Sequence, residues 1–288
     1  MPAPPVDVLV IGADSLIGGA VHARMQAAGR PVAGTTRRAG NDRFLHLDLS
    51  GDFQTAALPA AQAVLLAAAE TSTARCREDP RGTRRINVAA AGRLADWAKQ
   101  SGARPILLST TAVFDGATPF EAESAARRPV GVYGEQKAAA EEQVLDNAGA
   151  IVLRLGKVLH ADQPLIVGWR EALAAGRPIH PFADMVMAPV SLADAVEAIA
   201  RLLDAPRAAG IFQLTADRDM TYAEAAALVA ARSGAAPERV VPTTSRRAGI
   251  TVDHLPRHAT LSDERLRALT GLAAPPPEKA VIAALGAR

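Results

Sequence analysis

Short apolar runs alternate with longer amphipathic segments through the first 155 residues of the chain. The apolar runs are rich in Val, Ile, Leu and Ala, which is typical of strands that are buried on both faces of a sheet. They predict six strands, at residues 6–11, 32–36, 44–48, 63–69, 106–109 and 151–155. The segments between them predict helices, the longest of which are at 83–100 and 133–147. This alternation predicts an α/β fold with a doubly wound parallel sheet of the Rossmann type.

The pattern changes after about residue 158, where helices predominate. Further helices are predicted at 164–175, 191–203, 221–232, 262–269 and 278–285. Thr221 and Glu224 have the spacing of a capping box at the start of one of them. We therefore expect a Rossmann domain at residues 1–158 and a smaller, mainly helical lobe at 159–288. Segments near 186–215 are expected to return to the Rossmann sheet.

Composition and charge narrow the classes of protein to which the chain could belong. The 288 residues are 49% hydrophobic and 22% charged, which is ordinary for a globular protein with a large core. The net charge is only +2, and paired arginines are spread along the chain, so we expect no nucleic-acid partner. The single Cys76 excludes an internal disulfide and a cysteine metal cluster. His180, His254 and His258 lack metal-ligand spacing, so no metal site is expected.

No apolar run is long enough to span a bilayer, and the first five residues are unlike a signal peptide. We therefore expect a cytoplasmic protein that has no membrane partner.

A glycine-bearing turn follows the first predicted strand. Strand, glycine turn and helix within about 25 residues are typical of the start of a dinucleotide-binding βαβ unit. Gly12 permits the tight turn, Gly18 lets the helix pack closely, and the helix N-terminus faces a pyrophosphate. Ser15 stands where the middle glycine is usual, and its hydroxyl could itself reach a phosphate. The predicted contacts of this turn with the cofactor also include Asp14, Leu16 and Ile17.

Two arginines end the second predicted strand. An acidic residue there would accept from the ribose 2′-hydroxyl of NAD, whereas an arginine suits the 2′-phosphate of NADP. Arg37 and Arg38 therefore favour NADP(H) over NAD(H), unless they are merely surface residues of a loop. Asp48, followed by Leu49, is placed to meet the adenine amino group. The middle of the cofactor is expected to lie against three small residues, Ala67, Ala68 and Ala69.

Tyr133 and Lys137 lie four residues apart at the start of a predicted helix, and so on one face of it. A cation beside a phenol favours the phenolate, so we expect Lys137 to lower the pKa of Tyr133 from about 10 toward neutrality. The phenol would then exchange protons at pH 7. This spacing also occurs by chance. Ser109 and Thr110 support catalysis, because they end a strand at the sheet edge where ligands bind.

Several motifs occur in order along the chain: AAAET at 67–71 with INV at 86–88, STTAVFDG at 109–116, VYGEQK at 132–137, and APV at 188–190 before Asp194. In this order they resemble the extended short-chain dehydrogenases/reductases, above all the dTDP-4-dehydrorhamnose reductases and related sugar-nucleotide reductases and epimerases. The resemblance implies that Tyr133 is the proton donor and that Thr110 lies beside the substrate carbonyl. It implies that Lys137 binds the nicotinamide ribose and acidifies Tyr133. Asn87, Ser109, Tyr133 and Lys137 join the expected cofactor-binding set.

The function implied by this resemblance is NADPH-dependent reduction of a keto group on a nucleotide-activated sugar, with residues 159–288 binding the substrate. An epimerase that returns the hydride is one alternative, and a dinucleotide-binding regulatory subunit without turnover is another. The Asp-Tyr pair of the reductases is Thr111-Ala112 here, and Gly131 stands where they have Asn, so the particular sugar is left open. Extended relatives commonly dimerise through the helices near 83–100 and 133–147, so a homodimer is an expectation by resemblance.

Overall fold

The computed structural model describes residues 4–250 and 255–286, so His254 lies outside the described residues. The described chain divides into two compact units. Unit 1 comprises residues 4–113, 126–154 and 196–212, and unit 2 comprises residues 114–125, 155–195 and 213–286. The domain boundary at residue 158 stays a prediction. Within the described ranges, none of the helices combines the length and the apolar character needed to cross a membrane.

Strands and helices follow one another along the described chain. The first are β1 (Val6–Ile11), α1 (Leu16–Ala27), β2 (Val32–Thr36), β3 (Leu45–His46), β4 (Ala61–Leu66), α2 (Thr73–Glu78), α3 (Pro80–Arg84), a π-helical turn (Arg85–Ala90), α4 (Ala91–Gln100), β5 (Arg104–Thr110), a short 3-10 helix (Thr111–Val113), α5 (Val132–Leu145) and β6 (Ile151–Leu155). They are followed by β7 (Val158–Leu159), α6 (Pro164–Ala174), β8 (Val186–Met187), β9 (Val190–Ser191), α7 (Leu192–Leu203), β10 (Gly210–Leu214), β11 (Met220–Thr221), α8 (Tyr222–Arg232), a second 3-10 helix (Pro237–Arg239), α9 (Glu264–Thr270) and α10 (Pro277–Ala284).

Unit 1 is built on a seven-stranded sheet with the strand order β10-β6-β5-β4-β1-β2-β3. The interior strand β1 pairs in parallel with β2 on one side and β4 on the other. Its residues Val8, Leu9 and Val10 are fully buried, because helices cover both faces of a doubly wound sheet. The predicted fold class is therefore confirmed.

The third strand is shorter than the predicted 44–48 and covers only Leu45–His46 at the edge of the sheet. The chain on either side is held by side chains instead of by the strand ladder. The Asn41 side chain accepts from the backbone N–H of Phe44, and the Asp48 carboxylate accepts from that of Ser50. Short polar side chains that bond to nearby backbone favour turns over strands.

The predicted helix at 83–100 is not one regular α-helix. The π-helical turn at Arg85–Ala90 joins α3 to α4 and buries Asn87 and Val88. The preceding helix α2 was not predicted, because its sequence TARCRE has no apolar period and only Cys76 is buried.

Within the segment near 186–215, β10 alone joins the seven-stranded sheet. The two-residue strand β8 pairs with β11, and β9 pairs with β7. Both pairs belong to unit 2, whose core packs α6, α8 and α10 around buried residues such as Trp169 and Val229. The predicted capping box at the start of α8 is confirmed, since Thr221 and Glu224 each bond to the other's backbone N–H.

Candidate functional site

The junction of β1 and α1 is compact because Gly12 in the turn and Gly18 in the helix lack a side chain. Gly12 has a φ of +86°, which favours glycine, and its N–H donates to the Thr35 hydroxyl. A Cβ on Gly12 would lie 2.8 Å from the Ala68 Cβ. A Cβ on Gly18 would lie 2.2 Å from the Gly12 carbonyl oxygen. The first turn of α1 can therefore pack directly on the end of β1.

Ser15 is the N-cap of α1. Its hydroxyl donates to the Gly12 carbonyl oxygen over 2.7 Å and accepts from the Gly18 N–H over 3.2 Å. The hydroxyl proton, which we expected to be available to a phosphate, is thus used inside the turn. Leu16 and Ile17 open the helix, and N–H groups in a first helical turn have no partner within the helix.

A cavity of about 350 Å³ lies in unit 1 beside this turn. Nine of its lining residues were predicted as cofactor ligands: Gly12, Asp14, Ser15, Arg37, Arg38, Asp48, Leu49, Ala68 and Ala69. Its other lining residues were not predicted: Ile11, Thr35, Thr36, Leu47, Ser50, Glu70 and Ile86. The predicted ligands that do not line it are Leu16, Ile17, Gly18, Ala67, Asn87, Ser109, Tyr133 and Lys137.

Charged groups of both signs meet where β2 ends. The Asp14 carboxylate accepts from the Thr36 hydroxyl over 2.8 Å and lies 3.4 Å from Nε of Arg38. The Asp14 side chain is 18% exposed, whereas that of Arg38 is 73% exposed. Arg37 is exposed beside them. On the same cavity wall, hydrogen bonds from Ser50 hold the pKa of the Asp48 carboxyl below its usual value.

Asn87 lies behind the cavity, with 2% of its surface exposed. Its side-chain oxygen accepts from the Glu70 N–H, and its amide nitrogen donates to the Glu70 carbonyl oxygen. The same nitrogen donates to Gln136 on α5. Both polar ends of Asn87 are therefore used by the protein, so that it fixes the backbone after β4.

Tyr133 stands at the start of α5, close to the end of β5. A Cβ on the neighbouring Gly134 would lie 2.3 Å from the Ala112 carbonyl oxygen, so α5 begins in direct contact with the chain that follows β5. Burial, with a smaller contribution from Cys76, raises the pKa of Tyr133 to about 12, and a hydrogen bond with Thr110 opposes the rise. The structure thus brings Thr110 and Tyr133 together.

Lys137 follows one turn later and is 3% exposed. Its ammonium group donates to the Leu108 carbonyl oxygen over 2.6 Å. Burial lowers the pKa of Lys137 to about 8, and the charge of Glu141 opposes this change. The expectation that Lys137 brings the pKa of Tyr133 toward neutrality is wrong for this structure, because burial of the phenol dominates and the ammonium is bound to β5.

A buried charge network lies one further turn along α5, and the sequence reasoning missed it. Glu141 and Arg154 are both 0% exposed, and two nitrogens of Arg154 donate to the Glu141 carboxylate. The carboxylate also accepts from Ser109 over 2.5 Å and from Arg127 over 3.3 Å. Ser109 is thus bound to α5 and not to the cavity. The sequence did contain one indication of this network, because Glu141 follows Lys137 by four residues and so lies on the same face of α5.

Across residues 4–250 and 255–286, no three His, Cys, Asp or Glu side chains are grouped so that they could hold a metal ion.

Comparison with protein families and solved structures gives a consistent result. The family model described as RmlD substrate binding domain matches residues 6–287. A dTDP-4-dehydrorhamnose reductase from Bacillus anthracis, solved in complex with NADP, superposes with a TM-score of 0.84 at 18% identity over 98% of both chains. A UDP-glucose 4-epimerase from Thermus thermophilus, in complex with NAD, superposes with a TM-score of 0.79 at 23% identity, covering 98% of this chain and 100% of that one. At these identities the likeness shows the fold.

A third similarity is closer in sequence but shorter. Methionine adenosyltransferase 2 subunit beta from Pongo abelii is 33% identical over 158 residues, which cover 51% of this chain and 46% of that protein. The match therefore spans about half the length of each.

Proposed function

This chain belongs to the RmlD substrate binding domain family, and we propose that it is a nicotinamide-dinucleotide-dependent reductase of a keto group on a nucleotide-activated sugar. The observation that carries the proposal is that Thr110 and Tyr133 lie close enough for the Thr110 hydroxyl to affect the pKa of the phenol, with the buried Lys137 one helical turn away. This combination supports acid catalysis at a carbonyl oxygen. Unit 2 would bind the nucleotide-sugar.

The residues of unit 1 fit a dinucleotide. Gly12 and Gly18 place no Cβ between the end of β1 and the first turn of α1, and residues of the turn line the cavity together with Ala68 and Ala69. Arg37 and Arg38 at the end of β2 support a preference for NADP(H) over NAD(H), because an arginine there suits a 2′-phosphate. When bound, the dinucleotide supplies the hydride.

Tyr133 is the proposed proton donor. With a pKa of about 12 it holds its proton at neutral pH, and it can give that proton to an oxygen on which negative charge develops. Thr110 would donate to the same oxygen. Burial makes the phenolate left behind costly, and the ammonium of Lys137, one helical turn away and with a pKa of about 8, would offset part of that cost.

A second candidate is a dinucleotide-binding subunit of a larger enzyme, which acts without turnover of its own. It is favoured by the similarity to a protein named as a subunit of methionine adenosyltransferase. The epimerase alternative rests on similarity of fold.

The test uses the whole chain and the variants Tyr133→Phe and Thr110→Val, each of which removes one hydroxyl. Binding of NADPH is measured first by fluorescence titration. Oxidation of NADPH is then followed with 4-keto sugars carried on dTDP and on UDP. We expect turnover by the wild type, and in Tyr133→Phe a loss of about 100-fold or more in kcat with little change in the Kd of NADPH.

Either of two outcomes would favour a different function over the reductase. Binding of NADPH without turnover on any keto sugar would favour the subunit. Exchange between epimeric nucleotide-sugars without net oxidation of NADPH would favour the epimerase. Light scattering of the same preparation tests whether the chain is a homodimer.

A further inference from the structure

The end of β2 carries a carboxylate that comes from another part of the chain. Asp14 belongs to the turn after β1, yet its carboxylate bonds to the hydroxyl of Thr36, the last residue of β2, and pairs with Arg38. All three residues line the cavity. An anion and a cation therefore stand side by side at this point.

This is the place where a Rossmann fold distinguishes its cofactors. An acidic group at the end of the second strand accepts a hydrogen bond from the ribose 2′-hydroxyl, and an arginine there accommodates a 2′-phosphate. Here both chemistries are present, because Asp14 brings the carboxylate while Arg37 and Arg38 bring the guanidinium groups.

We propose that Asp14 is a specificity-determining residue that opposes the attraction of Arg38 for a 2′-phosphate and so limits the preference of the site for NADP(H). The proposal rests on the proposed function, since it assumes that the cavity holds the adenosine end of a dinucleotide. A 2′-phosphate placed against Arg38 would lie close to the Asp14 carboxylate as well, and like charges at that range repel. A ribose 2′-hydroxyl at the same place could instead donate a hydrogen bond to the Asp14 carboxylate.

The opposite role can be distinguished by experiment. If Asp14 mainly held Arg38 in place for the phosphate, its removal would weaken binding of the phosphorylated cofactor. The Arg38 side chain is largely exposed, and exposed ion pairs restrain a side chain only weakly. For this reason we expect repulsion to outweigh positioning.

The test compares two small probes that differ only at the 2′ position, adenosine 2′,5′-bisphosphate and 5′-AMP, by isothermal titration calorimetry on the whole chain. Asp14→Asn removes the charge and keeps an acceptor for Thr36. We expect Asp14→Asn to lower the Kd of the bisphosphate about tenfold at low salt, an effect that shrinks at high salt. The Kd of AMP should change about twofold or less. The ratio of the Kd values of NADH and NADPH should rise by a similar factor.

Two further variants separate repulsion from positioning. Arg38→Gln should weaken binding of the bisphosphate. Adding Asp14→Asn to that variant should still recover affinity, because the proposed repulsion acts directly between Asp14 and the 2′-phosphate. Asp48→Asn, which neutralises the carboxylate on another part of the cavity wall, should change the ratio of the two probes less than Asp14→Asn does.

Weaker binding of the bisphosphate by Asp14→Asn, or equal changes for both probes, would overturn the inference and leave the proposed function standing. Failure of the wild type to bind either probe, NADPH or NADH would overturn the proposed function, and the inference with it.

Discussion

The ammonium nitrogen of Lys137 lies 2.6 Å from the carbonyl oxygen of Leu108, two residues before Thr110 on β5. The contact joins the start of α5 to the strand that presents the candidate hydroxyl groups. It also places a cation among apolar strands, where its charge is poorly solvated and its pKa falls to about 8. The stability of the fold should therefore depend on pH through this residue.

Replacing Lys137 by Met should remove part of the alkaline pH dependence of stability. Between about pH 8 and 10.5 the unfolded chain holds the lysine proton and the folded chain does not, so the free energy of unfolding rises with pH in this window. The rise contributed by Lys137 is at most about 1.4 kcal/mol per pH unit. Urea unfolding at pH 8, 9 and 10 should show the wild type gaining stability relative to Lys137→Met, but not relative to Lys99→Met at an exposed position. A constant difference between wild type and Lys137→Met would contradict the assignment.

The network around Glu141 should be costly to break from the carboxylate side. Glu141→Gln leaves Arg154 buried without its carboxylate partner, and we expect a loss of about 3–5 kcal/mol in the free energy of unfolding. Ser109→Ala removes one hydrogen bond to the same carboxylate and should cost less, about 1–3 kcal/mol. Chemical denaturation of both single variants and of the double variant measures the coupling. Equal losses in the two single variants would show that the charge pair is not the main contributor.

The two helical glycines Gly18 and Gly168 should respond to alanine in opposite directions. A Cβ at Gly18 would collide with the Gly12 carbonyl oxygen, so Gly18→Ala should destabilise by about 1–3 kcal/mol. Gly168 in α6 has no neighbour within 4 Å of such a Cβ, so Gly168→Ala should stabilise by about 0.5–1 kcal/mol. Thermal unfolding distinguishes the two signs. Gly18→Ala should also weaken binding of NADPH, and a melting temperature raised by Gly18→Ala would refute the close packing of the turn.

His22 on α1 should make the fold sensitive to mild acid. Its ring is buried against Phe44, its Nδ1 has no hydrogen-bond partner within the described part of the chain, and burial lowers its pKa below 6.5. The unfolded chain therefore binds the proton first as pH falls. The stabilisation is complete above about pH 6.5 and is lost below it. Between pH 7 and 5, His22→Leu should lose less stability than the wild type in denaturant titrations. An equal loss of stability in the wild type and in His22→Leu over this pH range would contradict the prediction.

The strands of the Rossmann sheet could be predicted from sequence wherever burial alone decides them. β1 and β6 are apolar runs apart from one charged residue each, Asp7 and Arg154, and the structure places both inside the sheet. β7, β8, β9 and β11 have two residues each, which is too short for any period to appear. Their pairing depends on contacts that are distant along the chain.

The candidate site was predictable in its residue types but not in the directions of its side chains. The spacing of Tyr133 and Lys137 indicates one helical face, and both do lie on α5. The sequence could not show that the ammonium would turn to Leu108, because that contact spans 29 residues. Asp14 likewise gains its role from Thr36, which is 22 residues away.

The π-helical turn at Arg85–Ala90 constrains how this part of the chain can change in length. It contains Asn87, whose side chain holds the Glu70 backbone, and it leads into α4, whose apolar side packs on the sheet. Removing one residue from the regular α-helix between this turn and Leu94 would rotate everything beyond the deletion by about 100° relative to what precedes it. Asn87 and the apolar side of α4 could then no longer both keep their partners. Single substitutions should accumulate here far more readily than insertions or deletions, so the spacing between Asn87 and Leu94 is expected to persist even where the residues between them differ.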